Sequence, residues 1–217
     1  MLDQAAIAAF LLVCLGFHAV IDLHNILLVH RPKSGTRSRS KVETPSDALV
    51  ILAGLGTLVY FLETLAYPLS VLVSPFSLES FFFLLQYPFT LLLQALGLIL
   101  TSAGFIIFNW SVVIRGRYAI SWNMLENHKL ITTGPYRYVR HPSYLGFFLM
   151  FTGLPLLLPN PFSLIPLAAI PGYYKIAMHE ERLLIERFGN EYLEYQKRAG
   201  RFFPKLPRNP VRTVDRD

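Results

Sequence analysis

The chain has 217 residues, and its composition is apolar and poor in charge. Hydrophobic residues make up 53% and charged residues 16%, against about 25% charged residues in a typical soluble domain. The mean hydropathy of +0.42 agrees with this composition. These values exclude a disordered chain, which would be rich in charge, and they argue against a soluble globular enzyme. The single cysteine excludes an internal disulfide and a cysteine-rich metal site.

Long apolar runs in the first half of the chain predict three transmembrane helices, because a span needs about 20 apolar residues. The first run carries His18, Asp22 and His24, which are costly in hydrocarbon and are expected to face a protein interior. A loop rich in Ser, Pro, Lys and Arg separates the first run from the second. The three runs are Ala5–Val29, Asp47–Val73 and about Pro88–Ile114.

Two shorter apolar runs follow the polar stretch 115–142 and predict a helical hairpin. The runs are Tyr144–Leu158 and Phe162–Ala177, and Pro159-Asn160-Pro161 between them is a strong turn signal. In the tail from Glu180 to Arg198, large apolar residues recur at helical spacing between charged ones, which predicts an amphipathic helix.

The predicted fold is an all-α integral membrane protein with about five transmembrane helices, of which the last two form a short helical hairpin. A cytoplasmic C-terminal amphipathic helix completes it. The predicted division of the chain is three N-terminal membrane helices in 1–114 and a second unit in 115–217. That second unit contains a polar loop at 126–144, the hairpin at 144–178 and the C-terminal helix at 180–198.

The basic residues predict the orientation in the membrane. Five lie between the first and second helices, five between the third helix and the hairpin, and ten from Lys175 onward, whereas the second connection and the hairpin tip carry none. All of them therefore fall on one side, which the positive-inside rule makes cytoplasmic. The C-terminus is then cytoplasmic and the N-terminus external or lumenal. Topology accounts for the net charge of +6, so no nucleic-acid partner is expected.

The segment from His128 to Tyr144 carries the candidate chemistry, because it combines two histidines, three basic residues and three tyrosines between apolar helices. His141-Pro142 biases His141 to an extended backbone immediately before a predicted helix. Ser143 lies at the start of that helix, where free N–H groups can bind an anion. Interfacial anchoring would explain any one of these residues, but their density favours a ligand-binding loop.

The pattern His-x-Leu-[Val/Ile]-Thr-x-Gly-x-Tyr-x-x-x-Arg-His-Pro-x-Tyr resembles the isoprenylcysteine carboxyl methyltransferase family. That family is part of a membrane methyltransferase superfamily that includes phospholipid N-methyltransferases. After the hairpin, Glu180-Glu181 and the segment from Phe188 to Arg198 look like the family's C-terminal signature. The resemblance covers about Glu126 to Pro204, and the first hundred residues are similar only in being membrane helices.

The resemblance implies that 115–217 is a methyltransferase core that binds S-adenosylmethionine in a cytoplasm-facing pocket. A lipophilic methyl acceptor would enter that pocket from the bilayer, among membrane lipids. The resemblance predicts no oligomeric state and no metal. The residues that it assigns to the cofactor are His128, Lys129, Leu130, Ile131, Tyr136, His141, Pro142, Ser143, Tyr144 and Glu180.

Two departures from the family pattern concern the acceptor. The family's Arg four residues before the first Glu of the pair is Ile176 here, and its Gln seven residues before the loop His is Ser121. A carboxylate acceptor is already ionised at neutral pH and needs a cationic clamp, for which Arg140 and Lys175 are candidates. An amine acceptor needs a base, for which Glu181 or His179 is a candidate.

Four functions remain open at the level of sequence. The leading hypothesis is carboxyl O-methylation of an isoprenylcysteine-type or other lipophilic acceptor. N-methylation of a phospholipid amine is the alternative within the same superfamily. A membrane reductase of related architecture is disfavoured, because the sequence has no nicotinamide-phosphate fingerprint. A non-enzymatic membrane scaffold is the remaining alternative, and it would not bind S-adenosylhomocysteine.

Overall fold

The structure is a computed structural model, and it describes residues 1–30, 39–41, 47–73, 85, 88–116, 123–125 and 129–205. The described part is mainly helical. The α-helices are α1 (Gln4–His30), α2 (Ala48–Val73), α3 (Thr90–Arg115), α4 (Pro142–Leu157), α5 (Ile170–Phe188) and α6 (Asn190–Arg198). Two 3-10 helices, Gly134–Arg137 and Phe162–Ala169, lie before α4 and before α5.

Three of these helices, α1, α2 and α3, are long and apolar enough to cross a membrane. Their bounds agree with the three predicted spans to within a few residues. Helix α4 is apolar but shorter, with 16 residues. The protein is a multi-pass integral membrane protein with an α-helical fold.

Small residues allow α3 and α4 to pack closely. Gly97, Thr101 and Gly104 recur along one face of α3, and α4 presents Gly146 and Gly153. A Cβ added at Gly104 would lie 2.6 Å from the Met150 side chain and 2.7 Å from the Gly146 carbonyl. Such close approach of two backbones is typical of helix pairs in membranes, where van der Waals packing drives association. This packing fixes the start of α4 beside the end of α3.

The predicted turn at Pro159-Asn160-Pro161 is present at the tip of the hairpin. Asn160 Oδ1 accepts hydrogen bonds from the backbone N–H groups of Phe162 and Ser163, at 2.9 and 3.0 Å. These bonds satisfy two donors that the start of the returning arm would otherwise leave unpaired. The hairpin therefore reverses the chain sharply and brings α5 back toward the start of α4.

The returning arm differs from the predicted bounds. No helix begins at residue 180: α5 begins at Ile170 and continues to Phe188, so Glu180 and Glu181 lie within the helix that follows the apolar arm. The amphipathic tail is then divided at Gly189, whose φ of 51° is a conformation that favours glycine. The predicted helix at 180–198 is thus the end of α5 plus the short α6.

The described residues also contain a feature that the all-α prediction lacks. The backbone of Arg39–Lys41 pairs antiparallel with Asn123–Leu125. Three-residue strands are too short to show a period-2 pattern in the sequence, which explains why the prediction missed them.

The polar residues of α1 differ in their surroundings. His18 lies inside the bundle: its Nδ1 is 2.9 Å from Asn109 Oδ1 of α3, and its ring stacks on Phe61 of α2 at 5.4 Å. Asp22 pairs with His18 at 3.2 Å but is 47% exposed, and His24 is exposed. The expectation of an interior position is therefore wrong for His24 and holds only in part for Asp22. Asp22 lies one turn after His18 on α1 and contacts the His18 ring from the edge of the bundle. His24 lies near the end of α1.

Candidate active site

The predicted site residues lie at one end of the helical bundle, where α3 ends and α2 and α4 begin. A close contact fixes α5 there, because a Cβ at Gly172 would overlap the Leu49 carbonyl of α2. Lys175 of α5 also forms an ion pair with Asp47, immediately before α2. The second half of α5, with Glu180 and Glu181, therefore extends past the start of α4.

A short C-terminal strap, which we define as Ala199–Phe202, joins α6 to the start of α4. Gly200 pairs in parallel with Val139 as an isolated β-bridge. The N–H groups of Arg140 and His141 donate to the carbonyls of Gly200 and Arg201, at 2.7 and 3.0 Å. The strap thus fixes the backbone of His141 through two hydrogen bonds.

The Glu181 carboxylate is the centre of a buried ion network. Arg140 donates to Oε1 through Nε at 2.9 Å, and Arg201 donates to both oxygens, at 3.1 and 2.9 Å. His141 Nε2 lies 3.2 Å from Oε1, and Gln196 donates to Oε2 at 3.4 Å. The Glu181 side chain is only 5% exposed. Two arginines, a histidine and an amide therefore hold this carboxylate, which accounts for its burial.

Glu180 faces a different set of groups, although it is the next residue in the chain. The Tyr144 hydroxyl donates to Glu180 Oε1 at 2.8 Å, and His141 Nδ1 lies 3.5 Å from Oε2. The His141 ring stacks on the Tyr144 ring at 5.5 Å, with only 2° between their planes. The histidine thus lies between the two carboxylates, with one ring nitrogen toward each.

These contacts shift two pKa values in opposite directions. Burial opposes the charged form of His141, but hydrogen bonds to Glu180 and Glu181 outweigh it and raise the pKa of the ring above its usual value. Burial alone would raise the pKa of Glu181, but the hydrogen bonds from His141 and Arg201 and the charge of Arg140 outweigh it, and its pKa lies well below the usual range. At neutral pH, Glu181 is therefore ionised, and its surroundings favour the protonated form of His141.

Tyr136 presents a buried polar atom beside this cluster. Its backbone carbonyl accepts a 2.6 Å hydrogen bond from the Tyr195 hydroxyl, which ties the 3-10 helix to α6. Its own hydroxyl is buried, and the side chains of Ser111 and Ser143 interact with it. Burial raises the pKa of the phenol, while the nearby charge of Arg115 and these two hydroxyl groups lower it. The Tyr136 hydroxyl therefore belongs to a small polar cluster at the edge of the site, which a polar ligand could contact.

The structure brings most of the predicted site residues together. Arg140, His141, Tyr144, Glu180 and Glu181 are in mutual contact. Of the other predicted cofactor residues, the buried ones beside this cluster are Pro142, Ser143 and Tyr136.

Four predicted residues lie elsewhere or differ in their surroundings, and one falls outside the described residues. Lys129 is exposed, Leu130 packs against the separate tyrosine cluster of α6, and Ile131 is half-buried. His128 lies outside the described residues. Lys175, a candidate clamp for the acceptor, is occupied by its ion pair with Asp47.

One prominent residue of the site was not predicted from the sequence. Arg201 binds Glu181 through two hydrogen bonds, and its Nη1 donates to the Tyr174 hydroxyl at 3.1 Å. Two adjacent glutamates in an apolar setting require cationic partners. That requirement, together with Gly200-Arg201 directly after the amphipathic helix, is the signal that could have identified it.

Comparison with known proteins identifies this region. Residues 87–191 match the family model described as phospholipid methyltransferase. Protein-S-isoprenylcysteine O-methyltransferase B of Arabidopsis thaliana is 35% identical over 94 residues, which cover 41% of this chain and 48% of that protein. The Saccharomyces cerevisiae protein-S-isoprenylcysteine O-methyltransferase is 44% identical over 78 residues, covering 35% of this chain and 32% of that protein. The resemblance to the isoprenylcysteine carboxyl methyltransferase family is confirmed.

The extent of this match is limited. The human protein-S-isoprenylcysteine O-methyltransferase is 40% identical over 76 residues, which are 34% of this chain and 27% of that protein. The aligned segments thus span about half or less of the isoprenylcysteine methyltransferases that the chain resembles. A solved structure titled as the eukaryotic intramembrane Ras methyltransferase ICMT overlays on 90% of this chain and 67% of that chain, with a TM-score of 0.46 and 24% identity.

Proposed function

We propose that the protein is an integral-membrane, S-adenosylmethionine-dependent methyltransferase that methylates the carboxylate of an isoprenylcysteine-type or other lipophilic acceptor. The observation that carries the proposal is the cluster of His141, Tyr144 and Glu180. It lies within the segment that matches the phospholipid methyltransferase family model. The chain's relatives over this part of the sequence are named protein-S-isoprenylcysteine O-methyltransferases.

The residues of the site fit S-adenosylmethionine. Tyr136 offers a buried hydroxyl beside Ser143, and Glu180 offers a carboxylate that can accept from ribose hydroxyls or from the amino group. When bound, the cofactor supplies the electrophilic methyl group of its sulfonium. The contribution of this chain is then to orient the two reactants in line and to exclude water.

The electrostatics of the site support a carboxylate acceptor over an amine. An amine must lose a proton before it attacks, whereas a carboxylate is ionised at neutral pH. Glu181 is held by Arg140 and Arg201, and its lowered pKa makes it a poor base. His141 faces a carboxylate with each ring nitrogen, and its raised pKa favours the protonated form. These two groups are therefore better suited to holding charge than to accepting a proton.

The two cations predicted to clamp the acceptor are bound to carboxylates of the protein. Arg140 pairs with Glu181, and Lys175 pairs with Asp47. Ile176 is buried at the position where the family pattern has an arginine. A carboxylate acceptor would therefore compete with Glu181 or Asp47 for one of these cations.

The site is proposed to face the cytoplasm. The basic residues support this orientation, because the site end of the bundle carries Arg115, Arg140 and Lys175 at the end of α3 and the start of α2. Five transmembrane crossings, with an external or lumenal N-terminus, are the matching arrangement. The cofactor would then reach the site from the cytoplasm and the acceptor from the bilayer.

N-methylation of a phospholipid amine is the second candidate, and the description of the matching family model favours it. Purified protein in vesicles separates the two when it is supplied with methyl-labelled S-adenosylmethionine. One reaction receives a small S-prenylated cysteine with a free carboxylate, a second receives its carboxamide, and a third receives phosphatidylethanolamine alone. Base-labile label in the first reaction only is expected. Base-stable label in phospholipid would establish N-methylation instead.

A matched pair of variants tests the cofactor site. Glu180→Gln is expected to weaken S-adenosylhomocysteine binding at least about tenfold, because a charge-assisted hydrogen bond contributes about 1.5–3 kcal/mol. Glu194→Gln should leave the affinity unchanged, since Glu194 is exposed and pairs only with Lys197 among the described residues. Isothermal calorimetry measures both affinities. Equal binding by the two variants would exclude Glu180 from the cofactor site.

A further inference from the structure

The two arginines hold the Glu181 carboxylate differently, because Arg140 binds one oxygen and Arg201 binds both. Arg140 reaches only Oε1, with Nε at 2.9 Å and Nη2 at 2.8 Å, and the same oxygen faces His141 Nε2. Oε2 is held by Arg201 Nη2 at 2.9 Å, and more weakly by Gln196 at 3.4 Å. A planar carboxylate is fixed in rotation only when both of its oxygens are held. Arg201 is therefore the residue that fixes the plane of the Glu181 carboxylate.

The plane of Glu181 determines the position of the His141 ring. Glu181 Oε1 faces Nε2 of that ring, which leaves Nδ1 toward Glu180. The Tyr144 ring restrains one face of the His141 ring by stacking, and Glu181 Oε1 restrains its edge at Nε2. Rotation of the carboxylate would move Oε1 away from Nε2 and release this restraint on the ring.

Arg201 is itself well oriented for this task. Its Nη1 donates to the Tyr174 hydroxyl at 3.1 Å, and its guanidinium lies over the Tyr174 ring at 5.4 Å from the centroid. Its side chain is 31% exposed, whereas that of Arg140 is 8% exposed. Because the strap is bonded to His141 through backbone atoms, a substitution of the Arg201 side chain leaves those hydrogen bonds in place.

We propose that Arg201 is a positioning residue for the cofactor site: by holding Glu181 through both oxygens, it keeps the His141 ring aligned against Glu180. The inference rests on the proposed function, because it assumes that His141 and Glu180 contact S-adenosylmethionine. Arg201 does not touch the cofactor in this arrangement. Its effect on binding must therefore pass through Glu181 and His141.

A double-mutant cycle with S-adenosylhomocysteine as the probe tests this pathway. The proteins are the wild type, Arg201→Gln, His141→Ala and the double variant, with Arg182→Gln as the exposed matched control. Calorimetry in detergent at pH 7 gives the affinities. Arg201→Gln is expected to weaken binding about tenfold in the wild type and less than about twofold in the His141→Ala background, because residues in one network are not additive. Arg182→Gln should change nothing.

Arg201→Lys keeps the charge but can reach only one oxygen of Glu181 well. Its affinity for S-adenosylhomocysteine should therefore lie between that of the wild type and that of Arg201→Gln. If Arg201→Gln fails to fold, Arg201→Lys takes its place in the cycle, because the same loss of coupling is expected. The inference would be overturned if Arg201→Gln weakened binding equally in the wild type and in the His141→Ala background. Wild-type affinity in both Arg201 variants would also overturn it. Failure of the wild type to bind S-adenosylhomocysteine would instead refute the proposed function.

Discussion

Replacing Glu181 with glutamine tests the buried network without any assumption about the ligand. The substitution removes the negative charge from a side chain that is 5% exposed, and its new amide NH₂ would face donors. Arg140, itself buried, would keep at most a neutral amide oxygen as the partner of its Nε and Nη2. The variant therefore leaves a buried cation without a counter-charge, which is among the costliest changes that a single substitution can make.

The structure sets the expected size of the effect. Breaking a buried ion pair by removing one partner costs about 3–5 kcal/mol. Arg140 retains a 2.6 Å hydrogen bond to the Ala199 carbonyl, and Arg201 retains its bond to Tyr174. We therefore expect the lower end of the range, about 3 kcal/mol. In a protein of this size, that loss corresponds to a fall of about 6–12 °C in melting temperature.

Thermal unfolding of the purified protein in detergent, followed by circular dichroism, measures the change. Glu194→Gln is the matched control, because its side chain is 62% exposed and its partner Lys197 lies three residues away. An exposed pair of this kind contributes about 0.2–1 kcal/mol at most. A melting temperature for Glu181→Gln equal to that of Glu194→Gln would show that the network does not stabilise the fold.

Three further predictions concern the strap, the candidate clamp and the histidine. Gly200→Ala should lower both melting temperature and cofactor affinity, because the new Cβ would overlap the Phe203 carbonyl, whereas Gly54→Ala meets open space and should lower neither. Lys175→Gln should leave the KM for the acceptor unchanged in a methyl-transfer assay, since the lysine pairs with Asp47; a raised KM would restore its role as a clamp. The raised pKa of His141 implies a stabilisation that is full below about pH 6.5 and is lost as the pH rises through the raised value. The difference in melting temperature between the wild type and His141→Gln should therefore shrink above neutral pH. A difference that stays constant with pH would show that protonated His141 does not stabilise the fold.

Much of the architecture follows from apolar patterning alone. The three long helices and the hairpin turn can be predicted from the sequence, because each depends on local composition. A span needs about 20 apolar residues, and the turn has the sequence Pro-Asn-Pro. The continuity of α5 through residue 180 is not readable in this way. A change from apolar to charged residues looks like a boundary, yet a helix can leave the membrane without breaking. The break occurs where Gly189 permits a positive φ.

The roles of charged residues depend on contacts that are distant in sequence. Lys175 was a reasonable candidate clamp by its distance from Glu180, but five positions along a helix place two side chains about 140° apart. It consequently reaches Asp47, which is 128 positions earlier in the chain. Arg201 was missed for the converse reason. Its partner lies 20 positions earlier, and only the return of the strap onto α4 brings them together.

The two adjacent glutamates illustrate how one helical step can separate stability from binding. Successive residues of an α-helix project about 100° apart, so Glu181 faces the strap and its arginines while Glu180 faces Tyr144. Glu181 is held by two arginines and stabilises the fold, whereas Glu180 can still accept hydrogen bonds from a ligand. His141 joins the two, because each of its nitrogens faces one of them. Loss of Glu181 should therefore lower the melting temperature of the free protein the more, while loss of Glu180, which removes fewer contacts, should lower it less and should lower ligand affinity.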